Sequence, residues 1–141
     1  MSRRSDDEWL GIEGTRGDKP LLARLRKLAN TKAQRGALSH LFLIEWPYPL
    51  DNDTELPSKS VYKQLSRFEE QVLDALEDDA EGKLFFVETS GGTVTYHLYC
   101  RDPEVAAERV NDAVPAKIEL QLSSRPDPNW DDYRAICKAL L

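Results

Sequence analysis

Apolar and polar positions alternate with two different periods along the chain, and these periods predict the strands and helices. Residues 40–48, "HLFLIEWPY", are rich in β-branched and aromatic side chains and are bounded by Pro47 and Pro49, which indicates a strand. Residues 117–124, "KIELQLSS", alternate strictly between polar and apolar, as expected for a strand with one solvated face. Both segments therefore predict strands of one sheet.

Two further pairs of extended segments predict hairpins. Residues 83–89 and 93–100 are joined across positions 90–92, where two glycines allow the positive φ angles of a tight turn. Nearer the N-terminus, residues 9–15 and 21–28 flank the polar turn "RGDKP". The second of these two segments fits a strand or a short helix equally well.

Helices are predicted where apolar residues recur every three or four positions. The longest stripe has spacings of four, three, four and four and consists of Val61, Leu65, Phe68, Val72 and Leu76. Ser58 is placed to cap that helix at its N-terminus. Two Asp-Pro pairs each indicate the start of a helix. The pair that begins at Asp102 predicts a helix over 103–114, and the pair that begins at Asp127 predicts a C-terminal helix within 127–141.

The order of these elements predicts an α+β fold. From residue 40 onward it is strand, helix, strand, strand, helix, strand, which matches the ferredoxin-like split βαββαβ arrangement of an antiparallel sheet. We interpret residues 1–141 as a single domain. It consists of an N-terminal β-hairpin and connection (1–39), the ferredoxin-like core (40–123) and the C-terminal helix (127–141).

The strand that begins at His40 is apolar on both of its faces. Phe42, Ile44 and Trp46 alternate with Leu41 and Leu43, so each side of the sheet needs a cover. We expect the N-terminal hairpin or the C-terminal helix to cover the side that the two core helices leave bare. If neither did, a homodimer would have to bury the apolar second face around Phe42 or Leu43.

One histidine and one cysteine stand close together in "TYHLYCRD", and their spacing decides what they can do. Side chains alternate along a strand, so His97 and Cys100, three positions apart, point to opposite faces. They therefore predict neither a nucleophile with its base nor two ligands of one metal. Cys100 shares its face with Val94, Tyr96 and Leu98 and is expected to pack as a small hydrophobic side chain.

The opposite row of that strand carries His97, Tyr99 and Arg101 and is the best sequence candidate for a contact surface. Together with Trp46, these residues are our predicted partner-binding residues. Two alternatives remain open at this point. The row could make ordinary cross-strand contacts beneath the hairpin or the last helix, or it could stack RNA bases on an open sheet face.

Composition narrows the possible partners. The formal net charge of −6 opposes general attraction to phosphates, so nucleic acid is an unlikely partner. The basic group Arg24, Arg26, Lys27, Lys32 and Arg35 is interpreted as solvated surface. Two cysteines form no disulfide scaffold, and no apolar leader follows the N-terminal arginines, so we expect a cytoplasmic protein with no membrane contact.

Motifs for catalysis and for cofactors are missing from the sequence. It contains no nucleophile elbow, phosphate loop, dinucleotide fingerprint or Cys-x-x-Cys, and Asp51–Glu55 lacks the glycine of a calcium loop. We therefore expect no cofactor, no metal and no enzymatic activity. The interpretation is a non-catalytic protein-binding or regulatory protein, such as an inhibitor or immunity-type protein of a bacterial enzyme, with an RNA-binding module as the alternative.

Several stretches resemble a bacterial family known as domain of unknown function 695. They are Trp9 in a short first strand, "GDKP", "LIEWPY", "LPS", "FEEQVLDALE", "TSGGTVTYHLYCRD" and "DPNWDDYRAI". The resemblance covers nearly the whole chain and implies no catalytic residues. The layout of the second half is also similar to bacterial regulators of ribonuclease E activity, type B, which implies a ferredoxin-like inhibitory binding protein.

Overall fold

The computed structural model describes residues 9–50, 55–114 and 118–141, which form a six-stranded sheet with helices on both faces. The strands are β1 (Trp9–Arg16), β2 (Lys19–Arg26), β3 (His40–Pro47), β4 (Gly82–Ser90), β5 (Thr93–Cys100) and β6 (Gln121–Pro126). The helices are α1 (Lys32–Ala37), α2 (Lys59–Phe68), a π turn (Glu69–Leu73), α3 (Asp74–Asp78), α4 (Pro103–Ala113) and α5 (Asp131–Leu140).

The sheet has the strand order β1-β2-β4-β5-β3-β6, and neighbouring strands are antiparallel. Strands β4, β5, β3 and β6 are the second, third, first and fourth strands of the segment that starts at residue 40. This is the order that a split βαββαβ sheet requires, so the predicted α+β class is confirmed and ferredoxin-like describes its core approximately.

The first face of the sheet is covered by the long helix and by α4. Ser58 caps α2 as predicted, because its hydroxyl accepts a hydrogen bond from the backbone N–H of Val61 at 3.3 Å. The helix continues through the π turn into α3, a feature that the regular apolar stripe did not predict. The first core, between these helices and the sheet, consists mainly of Phe42, Ile44, Trp46, Leu65, Phe68, Leu76, Tyr96 and Leu98.

The second face of the sheet is covered by α5. Trp130 and Tyr133 pack there against Leu41, Phe85 and Tyr99, and these residues form the second core. The β1–β2 hairpin instead lengthens the sheet beside β4. Because α5 supplies the cover, the condition on which a homodimer was expected is not met, and the oligomeric state stays a prediction.

Asp127 fixes the start of α5. Its side chain accepts hydrogen bonds from the backbone N–H groups of Asp131 at 2.9 Å and Asp132 at 3.1 Å, and from the Tyr99 hydroxyl at 2.8 Å. Trp130 stands at the N-terminal end of the helix with a φ of 55°, a left-handed conformation that costs a large side chain energy. Asp127 therefore caps the helix from a position upstream of Trp130.

Strand β4 contains a bulge at Phe85. Its pairing with β5 shifts register between Leu84 and Phe86. Phe85 and Phe86 consequently both contribute to the second core, whereas Leu84 and Val87 contribute to the first.

A buried ion pair joins the hairpin to the long helix. The Arg26 guanidinium donates to the Glu77 carboxylate at 3.0 and 2.5 Å and to the Leu84 carbonyl at 3.1 Å. Arg26 is only 1% exposed, so the prediction of solvated surface is wrong for this member of the basic group. The pair holds the end of β2 against α3.

Three local predictions need correction or lie outside the described residues. The predicted connection contains α1, where Thr31 accepts from the Gln34 N–H at 3.2 Å. Strand β6 begins at Gln121 and continues to Pro126, because its polar residues pair with β3 at the sheet edge. The N-terminal arginines, most of the predicted loop with its calcium-like stretch (51–54) and Lys117 lie outside the described residues.

No helix within the described ranges has both the length and the apolar character that crossing a membrane requires.

The buried pair generates a stability prediction. We expect Arg26→Gln to lower the free energy of unfolding by about 3–5 kcal/mol, because the Glu77 carboxylate stays buried but loses the positive charge that compensates it. Arg24→Gln is the matched control on the same strand. Its side chain is 44% exposed, so the loss should be about 0–1 kcal/mol. Urea denaturation of both variants measures the difference, and equal losses would contradict the proposed role of burial.

Candidate binding site

The four predicted partner-binding residues do not form one surface. Trp46 is buried in the first core, with its ring centroid 5.2 Å from that of Phe68. Tyr99 is buried in the second core, stacked on Phe85 and on Trp130 with centroids 4.9 Å apart in each pair. Neither aromatic ring is therefore exposed in the described structure, and partner binding by this set stays a prediction.

Arg101 is the one exposed member of the predicted set, and its guanidinium donates to the Glu81 carboxylate. The Glu81 backbone carbonyl also accepts from the Arg101 backbone N–H at 2.9 Å. These bonds tie the end of β5 to the residue that precedes β4. The arrangement gives Arg101 a structural partner at the sheet end.

His97 lies under α5 between two carboxylates. Its Nδ1 is 3.1 Å from Asp132 Oδ2 on α5, and its Nε2 is 3.6 Å from Glu88 Oε1 on β4. Arg16 on β1 approaches Glu88 at 2.9 Å, and Arg125 on β6 approaches Asp132 at 3.9 Å. The five side chains form a row of alternating charge across the second face once His97 is protonated.

These neighbours decide the protonation of His97. Burial by itself lowers the pKa of the imidazole, but its hydrogen bond with Asp132, its close contact with Glu88 and the charges of both carboxylates raise the pKa further than burial lowers it. The pKa of His97 therefore lies above its usual 6.5. Protonated His97 links β4 to α5, which is a structural role.

Cys100 is buried in the first core, on the opposite face from His97, whose ring contacts Phe85 and Phe86 of the second core, as predicted. Burial is the main reason why the pKa of its thiol rises to about 12, and the charges of Asp102 and Glu81 add to the rise. A thiol in that state is a poor nucleophile near neutral pH. The structure thus separates the two groups that a catalytic dyad would need to bring together.

A groove lies on the first face, between the β1–β2 hairpin and α2. Its volume is about 840 Å³. Leu22, Val87 and Thr89 line it from the sheet, and Tyr62 and Leu65 line it from the helix. The groove exists because the hairpin lengthens the sheet past the edge that α2 covers. On this face, no described helix lies over the part of the hairpin that lines the groove, residues 11–13 and 22–24.

An ion pair crosses one part of the groove. The Arg24 guanidinium on β2 donates to both carboxylate oxygens of Glu69 at 3.0 Å, and the Tyr96 hydroxyl donates to the same carboxylate at 3.4 Å. Arg24 also lies 5.3 Å above the ring of Trp9. The π turn that carries Glu69 thereby connects the helix to the hairpin, in line with the frequent occurrence of π turns at functional sites.

The open rim of the groove is acidic. Glu13 on β1 and Glu70 on the π turn both line the groove and are exposed, and neither forms a salt bridge within the described part of the chain. Tyr62 is 41% exposed beside them. Gly11 adds no side chain to the floor, and a Cβ built there would meet no atom within 4 Å. The groove can therefore accept a ligand with an apolar face and positive charges.

Sequence reasoning missed this groove. Arg24 was included in a basic group interpreted as surface, and Glu69 lies outside the apolar stripe of the helix. Tyr62 gave a usable signal, because it is an aromatic residue outside that stripe on a well-predicted helix. The pairing of β2 with β4, which creates the groove, left no sequence signal.

Residues 7–136 match the family described as "Family of unknown function (DUF695)". No curated protein and no solved structure matches the chain. The comparisons therefore do not confirm the similarity in layout to regulators of ribonuclease E activity, type B.

The raised pKa of His97 predicts how stability depends on pH. A histidine whose pKa is higher in the folded protein contributes stability that is fully present below its unfolded pKa, near 6.5, and is lost as pH rises through the folded value. We therefore expect His97→Gln to reduce the free energy of unfolding more at pH 5.5 than at pH 8.5. Urea denaturation at both pH values tests this. A loss that is the same at both would show that protonation of His97 contributes nothing.

The different environments of the two cysteines predict selective labelling. In the folded protein at pH 8, iodoacetamide should modify the partly exposed Cys137 and leave Cys100 unmodified. Peptide mass spectrometry locates the label, and the urea-unfolded chain, in which both thiols should react, is the control. Early labelling of Cys100 in the folded protein would contradict its burial.

Proposed function

The chain belongs to the DUF695 family, whose description names no activity, and we propose its function from its own geometry. We propose that it is a non-catalytic protein-binding or regulatory protein. The observation that supports this is the groove between the hairpin and α2. It combines an apolar floor, an exposed tyrosine and acidic groups at its rim. Protein interfaces favour such a combination of an aromatic anchor, apolar surface and peripheral charge.

The groups around the groove support binding over catalysis. Glu69 is held by Arg24, whose Nη2 donates to both carboxylate oxygens at 3.0 Å, so the carboxylate is engaged in an ion pair with the hairpin. The buried thiol of Cys100 and the imidazole of His97 lie on opposite faces of the sheet. These features favour a recognition surface.

Regulation of another protein is the form of binding that composition favours. A net charge of −6 suits an inhibitor or immunity-type protein that binds a basic enzyme by electrostatic complementarity. We place such an encounter in the cytoplasm, since both described cysteines are free thiols. The net negative charge would then attract the basic enzyme from a distance, and the acidic groove would provide the specific contacts.

RNA binding is not favoured by the same geometry. The alternative needs exposed aromatic rings on an open sheet face, as in recognition of unstacked bases. Tyr99 is covered by α5 and donates its hydroxyl hydrogen to Asp127. The acidic rim of the groove would also repel a phosphate backbone.

A capture experiment with matched variants tests the proposed function. Proteins retained by the immobilised wild-type chain from host lysate should be lost with Tyr62→Asp, which places a charge on the apolar anchor of the groove. Gln64→Asp adds the same charge at an exposed position of α2 that does not line the groove, so it should retain them. Quantitative mass spectrometry measures recovery.

Arg101→Glu extends that comparison to the residue predicted from sequence. Loss of the captured proteins with Arg101→Glu and not with Tyr62→Asp would move the binding surface to the end of β5. Identical recovery from every variant would contradict binding through either place.

A further inference from the structure

The spacing of helices and strands leaves one helix position open on the first face. Packed helices lie about 8–10 Å apart and neighbouring strands about 4.7–4.9 Å apart, so one helix covers roughly two strands. In the described part of the chain, the helix over 59–78 and α4 pack on the first core, which is built on β4, β5, β3 and β6. Trp9 at the start of β1 packs against the first core, and Arg26 at the end of β2 pairs with α3. The uncovered stretch therefore lies over residues 11–13 of β1 and 22–24 of β2, and it spans the two strands that one helix covers.

The floor of this position suits the apolar side of a helix. Leu22 is half-buried at the boundary between the hairpin and α2, with Val87 and Leu65 deeper in the groove. Gly11, on the neighbouring strand, presents only backbone, and the space above it is open. Glycine in a strand permits close approach of a second backbone. A helix could therefore settle close to β1 while its apolar residues contact Leu22 and Tyr62.

The charges beside this floor indicate the sign of the charge that a bound helix would carry. Arg24 is neutralised by Glu69, whereas Glu13 on the hairpin and Glu70 on the π turn have no salt-bridge partner within the described residues. The unneutralised charge is negative on both elements that border the groove. Lysine or arginine residues that flank an apolar stripe would meet one carboxylate on each side.

Resting on the proposed function, we infer that the groove binds a basic amphipathic α-helix of the partner protein, which lies over β1 and β2 as the third helix of the first face. Its apolar residues, spaced three and four apart, contact Leu22, Leu65 and Tyr62. Its cationic residues pair with Glu13 and Glu70. The partner is thus recognised by an apolar stripe with positive flanks.

Designed peptides test this inference with purified protein. The probe is a fluorescent 18-residue peptide with a leucine stripe flanked by lysines. The first control is a scrambled peptide of the same composition, and the second has the same stripe flanked by glutamates. By anisotropy, the lysine peptide should bind roughly tenfold more tightly than the glutamate-flanked control, since two exposed ion pairs account for that ratio. It should also bind more tightly than the scrambled control, which has no continuous apolar stripe. Circular dichroism should show that it becomes helical on binding.

A charge swap makes the test specific to the groove. The double variant Glu13→Lys, Glu70→Lys should reverse the preference toward the glutamate-flanked peptide. The control variant Glu45→Lys, Glu108→Lys changes two exposed carboxylates outside the groove by the same charge and should keep the lysine preference. Equal binding of the scrambled peptide, or no reversal in the groove variant, would overturn the inference.

The remaining outcomes separate the inference from the function on which it rests. Tyr62-dependent capture of a protein together with failure of all the peptides would overturn the helical occupant and leave the proposed function standing. Failure of both experiments would overturn both. A dimer seen by light scattering and broken by Tyr62→Asp would identify a second copy of the chain as the occupant and would also overturn the inference.

Discussion

The buried carboxylate of Asp127 is the group on which the layout of the surfaces depends. A carboxylate at 5% exposure is costly unless hydrogen bonds replace the water that it has lost. Burial raises its pKa, but the N–H groups of Asp132 and Asp131 and the Tyr99 hydroxyl together hold that pKa below its usual value. Asp127 can satisfy these bonds only when α5 lies against β5. The same bonds therefore cap the helix and attach it to the second face.

The closed second face determines where recognition can take place. Trp130 reinforces the closure, because its indole N–H donates to the Leu38 carbonyl at 2.8 Å while its ring stacks on Tyr99. The first face is closed over the four core strands by the long helix and α4. Within the described residues, the groove on the first-face side of the hairpin stays open, and the pair of Arg26 and Glu77 holds the hairpin in the plane of the sheet. The groove follows from this arrangement.

In β5, local periodicity was sufficient to predict which side of the strand each residue occupies, since alternation in a regular strand depends only on the backbone. It placed Cys100 on the face of Leu98 and His97 on the face of Tyr99. The structure shows Cys100 and Leu98 in the first core, and His97 beside Phe85 and Phe86 of the second core, which also contains Tyr99. The same information could not say which layer covers a side. A row of aromatic residues has the same sequence pattern whether it is exposed or buried. The burial of Tyr99 is therefore visible only in the structure, where α5 covers it.

The groove was beyond prediction for a related reason. It requires the pairing of Leu22 with Thr89, two residues that are far apart in sequence and whose register no local pattern specifies. The π turn is similar, because the apolar stripe of the long helix reads as a regular α-helix through Val72. The extra backbone residue in that turn becomes visible only where Glu69 reaches the hairpin.

The bulge at Phe85 also bears on how the length of this strand can vary. Elsewhere in β4, gaining or losing one residue would exchange the two faces for the rest of the strand and turn core side chains toward the wrong layer. At the bulge the ladder already contains one unmatched residue, so a chain without Phe85 would keep Leu84 and Val87 in the first core and Phe86 in the second. Such a deletion would remove the stacking on Tyr99 and preserve the alternation of side chains along the rest of the strand.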